Sequence, residues 1–92
     1  MTTPGKRYDV QVDRAAAKLL RKLDRPVQAR LVAVIATLAH DPRPAGVVAL
    51  AGHPGLLRIT VGGYRVVYTV DDAVLVVLVV HIGHRRDVYD TL

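Results

Sequence analysis

Leu57-Arg58-Ile59-Thr60-Val61 and Tyr64-Arg65-Val66-Val67-Tyr68-Thr69-Val70 are two runs separated only by Gly62-Gly63. The first alternates, and side chains that alternate along a strand point to opposite faces. A Gly-Gly pair between two such runs signals a two-residue hairpin. That loop length places Thr60 opposite Arg65 and Arg58 opposite Val67. Residues 58, 60, 65 and 67 then share one face, while Leu57, Ile59, Tyr64, Val66 and Tyr68 share the other. The two arginines become diagonal neighbours about 7–8 Å apart, close enough for both guanidinia to reach one phosphate. Two arginines on the middle strands of a small sheet are an odd choice for stability alone.

Working outward, Asp71-Asp72 makes the next turn, and Val74 to Ile82 reads as a strand apolar on both faces, hence central. Upstream, residues 45–55 carry Gly46, Gly52, Pro54 and Gly55 and read as a loop. Tyr8-Asp9-Val10-Gln11-Val12 alternates as a short first strand, and Asp13 stands where a helix N-cap belongs. Ala16, Leu19, Leu20 and Leu23 follow the spacing of one buried helical stripe. Arg14, Lys18, Arg21, Lys22 and Arg25 occupy the opposite, basic side. Pro26 suits the first turn of a second helix, whose stripe is Val27, Leu31, Val34, Ile35 and Leu38. Pro42 and Pro44 cannot continue it. The order β-α-α-β-β-β predicts an α+β fold, an antiparallel sheet packed on a helical pair. All 92 residues are expected to form one domain, with residues 1–7 a flexible N-terminus.

Composition narrows the chemistry. The chain is 51% hydrophobic, too apolar for a disordered tail, yet its longest apolar run, Ala73 to Val80, is far short of a membrane span. The first ten residues do not resemble a secretory signal, so the expected address is the cytoplasm, with no membrane partner. Ser, Cys, Glu, Asn, Trp and Phe are absent. Ser–His and Cys–His catalysis, disulfides and thiolate metal sites are excluded together. Thirteen Lys and Arg face eight Asp, a net charge of +5. Nine of the basic residues fall in residues 1–46, a lopsided charge whose natural partner is a polyanion, above all nucleic acid.

The tail His81-Ile82-Gly83-His84-Arg85-Arg86-Asp87-Val88-Tyr89 adds two imidazoles, two guanidinia and a phenol to the end of the apolar strand. His81-x-x-His84 without a third ligand is a weak zinc signal, and no metal or other cofactor is expected. The cluster offers cations for a phosphate and groups able to move protons.

Three segments together carry a resemblance: residues 50–59, Leu-Ala-Gly-His-Pro-Gly-Leu-Leu-Arg-Ile; residues 62–68, Gly-Gly-Tyr-Arg-Val-Val-Tyr; and the tail from His81 to Tyr89. With them the chain resembles the RelE/ParE toxin superfamily, more closely its RelE-type branch, from Tyr8 to Tyr89 and in the order of its elements. The resemblance implies a ribosome-dependent endonuclease that cuts messenger RNA and inhibits translation. It also implies a cognate, RelB-like antitoxin that holds the toxin inactive. The RNA would supply its own nucleophile, the 2′-hydroxyl, giving a 2′,3′-cyclic phosphate and a 5′-hydroxyl. By this resemblance Arg65 and Arg85 match the phosphate-binding arginines, Tyr89 the active-site tyrosine, and Arg58 the first of two basic residues on one strand. Arg14, Lys18, Arg21, Lys22 and Arg25 are expected to dock on ribosomal RNA.

Thr60 departs from the family pattern, for it stands where the second basic residue often lies, and a hydroxyl cannot accept a proton at neutral pH. His84 is the expected substitute as general base. Whether His84 or His81 faces the arginines depends on the hairpin after Val70. A two-residue loop brings even-numbered residues of the last strand to the Arg65 face, a three-residue loop odd-numbered ones, and a bulge near Gly83 changes the count again. Two further readings stand beside the nuclease: a ParE-like inhibitor of DNA gyrase without chemistry of its own, and a degenerate nucleic-acid-binding module.

Overall fold

A computed structural model describes residues 7–84. Its elements are β1 (Asp9–Val12), α1 (Arg14–Arg21), α2 (Arg25–Thr37), β2 (Val48–Ala49), β3 (Leu57–Val61), β4 (Tyr64–Asp71) and β5 (Val76–His84). Local chemistry sets most of these boundaries. The Asp13 carboxylate accepts a 3.3 Å hydrogen bond from the Ala15 N–H, satisfying one of the unpaired donors at the start of α1. Lys18 and Arg21 sit in its last turn, where cations suit the helix dipole. Pro26 lies in the first turn of α2, where a missing N–H costs nothing.

The strands form one sheet in the order β1-β5-β4-β3-β2. Three pairings are antiparallel, but β1 runs parallel to β5. The wholly antiparallel sheet expected from sequence is thus corrected to a mixed one. The physical reason is that β5 needs neighbours on both edges. The crossover through α1 and α2 lets β1 supply the second one, with the Asp9 N–H donating to the Leu75 carbonyl and the Asp13 N–H to the Val79 carbonyl, both at 2.8 Å. A second addition is β2, inside the stretch read as a loop: Val48 pairs with Arg58 and Ala49 with Leu57. Two residues are too few for periodicity to reveal.

Both helices cover one face of the sheet. Ala16, Leu31, Ile35 and Leu38 pack with Tyr8, Val66, Tyr68, Val77, Val79 and Ile82 in a single buried cluster, and Leu19, Leu20, Leu23 and Val27 close its margins. The predicted stripe of α1 is therefore the observed one, and that of α2 is observed except at Val34, which is half-buried outside the cluster. Tyr68 is wholly buried and donates from its hydroxyl to the Pro42 carbonyl at 2.8 Å, anchoring the connection after α2 to the centre of the sheet. No described helix is long and apolar enough to cross a membrane.

The last hairpin departs from expectation in length. Asp71 pairs with Val76, so the loop holds four residues, and Val74 is exposed in it instead of starting the strand. The Asp71 carboxylate accepts from the Ala73 and Val74 N–H groups at 3.0 and 3.3 Å, an Asx turn that fixes where β4 ends. Leu75 closes the loop with φ 56°, a left-handed conformation that a branched side chain seldom takes.

Candidate functional site

The face of the sheet turned away from the helices carries the arginines. Val61 pairs with Tyr64, so Gly62-Gly63 is the two-residue loop expected, and Gly62 turns it with φ 62°. Thr60 lies opposite Arg65 and Arg58 opposite Val67, as predicted. On the other side of β4, Arg65 faces Gly83 and Val67 faces His81. Two rows of three therefore cross the sheet: Thr60, Arg65, Gly83 and, beside it, Arg58, Val67, His81. Arg65 stands between two small residues, Thr60 and Gly83.

Burial agrees with this layout. Val67 is fully buried although no helix covers its face. Its flanking neighbours are Arg58 and His81, and long arginine stems cover such a position while their charged ends reach outward. Arg58, Arg65 and His81 are each half-buried, and Nε of both arginines and Nε2 of His81 are shut off from solvent. His81 Nε2 has no hydrogen-bond partner among the described residues.

The two histidines are now separated. The four-residue loop alone would bring even-numbered residues of β5 to the Arg65 face. Between Tyr68 and Val67 the register shifts: Tyr68 pairs with Val79 but Val67 with His81, leaving Val80 as the extra residue of a bulge. Beyond it the odd-numbered residues share the arginine face. His84, proposed from sequence as the base, pairs with Tyr64 on the helix side, their rings meeting edge to face at 5.6 Å. That placement is corrected: the imidazole beside the arginines is His81. The bulge falls at Val80, before Gly83, in a valine-rich run where every register looks alike.

Arg85 and Tyr89 lie outside the described residues. Arg14, Lys18, Arg21, Lys22 and Arg25 are all exposed, as expected of a basic outer side. They belong to the helical layer, however, so the sheet separates them from Arg58 and Arg65. Lys22 lines a largely apolar groove of about 310 Å³ that reaches the edge of β5, where Tyr64, His81, Ile82, Gly83 and His84 also border it. Arg30 of α2 approaches the Gly62 turn, its Nη1 3.3 Å from where a side chain there would begin. Sequence periodicity had not placed that cation. Among the described residues no group of His and Asp is arranged to hold a metal ion.

A second polar cluster lies at the other end of the sheet. Tyr8 and Arg43 both engage the Asp72 carboxylate. The hydrogen bond to Asp72 holds the Tyr8 phenol above its usual range, and the same carboxylate raises Arg43. This cluster ties three segments together and uses its charges in doing so.

Over residues 10–89 the chain matches the family described as the ParE toxin of the type II toxin-antitoxin system, parDE. No curated protein sequence matches it. Among solved structures, it is 34% identical to a chain of the intact E. coli RelBE toxin-antitoxin complex, covering 84% of this chain and 95% of that one, with a TM-score of 0.73. It is 32% identical to a double mutant of the E. coli toxin RelE in the free state, covering 91% and 92%, with a TM-score of 0.76. The archaeal RelE-RelB complex from Pyrococcus horikoshii OT3 is 26% identical, covering 85% and 94%, with a TM-score of 0.75.

Proposed function

The chain belongs to the RelE/ParE superfamily, in its RelE-type branch, and is a toxin of a type II toxin-antitoxin system; from that membership we propose that it is a ribosome-dependent endonuclease of messenger RNA. The observation that supports this best is the position of Arg65, set between Thr60 and Gly83 with Arg58 on the diagonal. A phosphodiester over this face meets two permanent cations whose planar forks suit its non-bridging oxygens.

The reaction needs little else from the protein. The RNA 2′-hydroxyl attacks the adjacent phosphorus, and negative charge grows on the phosphorane oxygens. Arg58 and Arg65 stabilise that charge where it develops, which lowers the barrier more than equally tight binding of the ground state would. By the family match, Arg85 adds a further cation and Tyr89 a phenol. The reaction as drawn uses no cofactor, and the whole chain acts as one domain in the cytoplasm. The exposed basic side of α1 holds ribosomal RNA by contacts independent of the cleavage step. A RelB-like antitoxin is the partner that restrains the toxin, as the RelE neighbours are held in their complexes with RelB.

The match to the ParE description favours one other reading, a gyrase inhibitor without chemistry. Induced expression separates the two. Primer extension should find cuts within translated messages, with DNA supercoiling undisturbed. Intact messages with accumulating DNA breaks would establish the gyrase reading instead, and neither effect would leave a nucleic-acid-binding module.

A further inference from the structure

We propose that His81 is the group that removes the 2′-hydroxyl proton, an assignment that rests on the nuclease reading above. Thr60 leaves the arginine face without a basic residue beside Arg65 on β3, so a proton acceptor has to come from elsewhere on that face. The chain has no Glu, and among the described residues the carboxylates on this side of the sheet, Asp9 and Asp71, both pair with Val76 at its far end. Asp71 is six residues along β4 from Arg65, roughly 20 Å at the usual rise of a strand. Both are too distant to serve a phosphate held at Arg65.

Of the histidines, His40 and His53 lie in the connections on either side of β2, and His84 is turned to Tyr64 on the helix side. His81 is the strand imidazole on the arginine face. It stands directly across from Val67 and diagonal to Arg65, one cross-strand step from the row that receives the phosphate. Its Nε2 is buried without a hydrogen-bond partner among the described residues. Buried polar atoms are ordinarily satisfied, and a nitrogen left unmatched on a cationic face is a ready partner for a ligand's hydroxyl. The guanidinia must extend to meet a phosphate, and that movement gives the hydroxyl its access.

The step balances without an added reagent. His81 Nε2 takes the 2′-hydroxyl proton as that oxygen forms its bond to phosphorus. The bond from phosphorus to the 5′-oxygen breaks, and the departing oxygen takes a proton from water. The imidazolium returns its proton to the hydroxide so formed, leaving the protein unchanged.

Single-turnover cleavage of messenger RNA on programmed ribosomes, with the purified full chain, tests the assignment. His81→Gln should slow cleavage by about 100-fold, the lower range for a lost proton-transfer group, with ribosome affinity held within about twofold. Imidazole added to the buffer should restore part of the rate to His81→Gly and none to Arg65→Ala. Circular dichroism establishes that each variant is folded; should the glutamine variant not be, the imidazole response of a folded His81→Gly or His81→Ala decides. Cleavage by His81→Gln within about threefold of the parent, or a greater loss from His84→Gln, overturns the role of His81 while leaving the nuclease reading standing. A parent chain that leaves ribosome-bound messages intact removes both.

Discussion

Tyr8 and Asp72 stand 64 positions apart in the chain and share a 2.6 Å hydrogen bond, the phenol donating to Oδ1. Arg43 grips the same carboxylate through both terminal nitrogens, at 3.2 and 2.9 Å. The start of β1, the connection after α2 and the turn before β5 are thereby joined. Arg43 and Asp72 are each about half exposed, with side chains 50% and 53% accessible. Water and salt screen such a pair, so its worth is small, whereas the Tyr8 ring also packs in the core. Tyr8→Ala should accordingly lower the urea midpoint far more than Arg43→Gln, and only the arginine variant's loss should shrink in high salt. Equal losses would place the strength of this cluster in the ion pair.

Tyr68 makes a pH-dependent prediction. Burial lifts its phenol to about 12, with Arg43 pulling the other way and Asp41 adding to the rise. In the unfolded chain a tyrosine titrates near 10, so above that pH the unfolded state sheds its proton first and is favoured. Stability from this group is complete below about pH 10 and declines as pH climbs toward 12. Tyr68→Phe should be less stable than the parent at pH 8, for want of the bond to Pro42, yet lose less on going to pH 11. Denaturant titrations at the two pH values check this, and parallel losses would refute it.

Arg65 makes the chemical prediction. Arg65→Ala should slow cleavage of a programmed ribosome by about two to three powers of ten, the cost of losing one transition-state charge contact. Arg65→Lys should recover only part of that rate, because an ammonium keeps the charge but not the two-pronged geometry. Ribosome affinity should hardly change in either. Cleavage by Arg65→Ala at the parental rate would move the phosphate off this residue.

The basic side of α1 makes a binding prediction. Lys18, Arg21 and Lys22 are exposed, and the packing of α1 rests on Ala16 with Leu19, Leu20 and Leu23. Changing the three cations to Gln should leave the melting temperature nearly unaltered. It should weaken ribosome binding and reduce the slope of log affinity against log salt by about 2. An unaltered slope would mean that these charges serve only solubility.

Much of this was legible in the sequence because the relevant signals were local. Asp13, Pro26 and Gly62-Gly63 fix chain reversals and helix starts through their own backbone chemistry, and they placed α1, α2 and the β3–β4 hairpin. The facing of Arg58 and Arg65 followed from loop length alone. What could not be read depended on distant partners. The parallel pairing of β1 with β5 is a choice between sheet edges, and nothing in Asp9–Val12 announces it. The position of His81 depended on one extra residue in a run of Val and Leu whose side chains fit either face about equally well.

That extra residue has an evolutionary corollary. Val80 acts as a reading-frame marker for the strand that follows it. Were the strand to run through Val80 without bulging, Val67 would pair with Val80 and Arg65 with Ile82, turning His81 inward and setting an isoleucine among the arginines. Deleting Val80 itself would remove the bulge and leave Val67 opposite His81 and Arg65 opposite Gly83, so the shortened chain is expected to keep its arginine face. Divergence in this strand should therefore keep His81 opposite Val67 and Gly83 opposite Arg65, while the loop at 72–75 can change length as long as Asp71 still pairs with Val76.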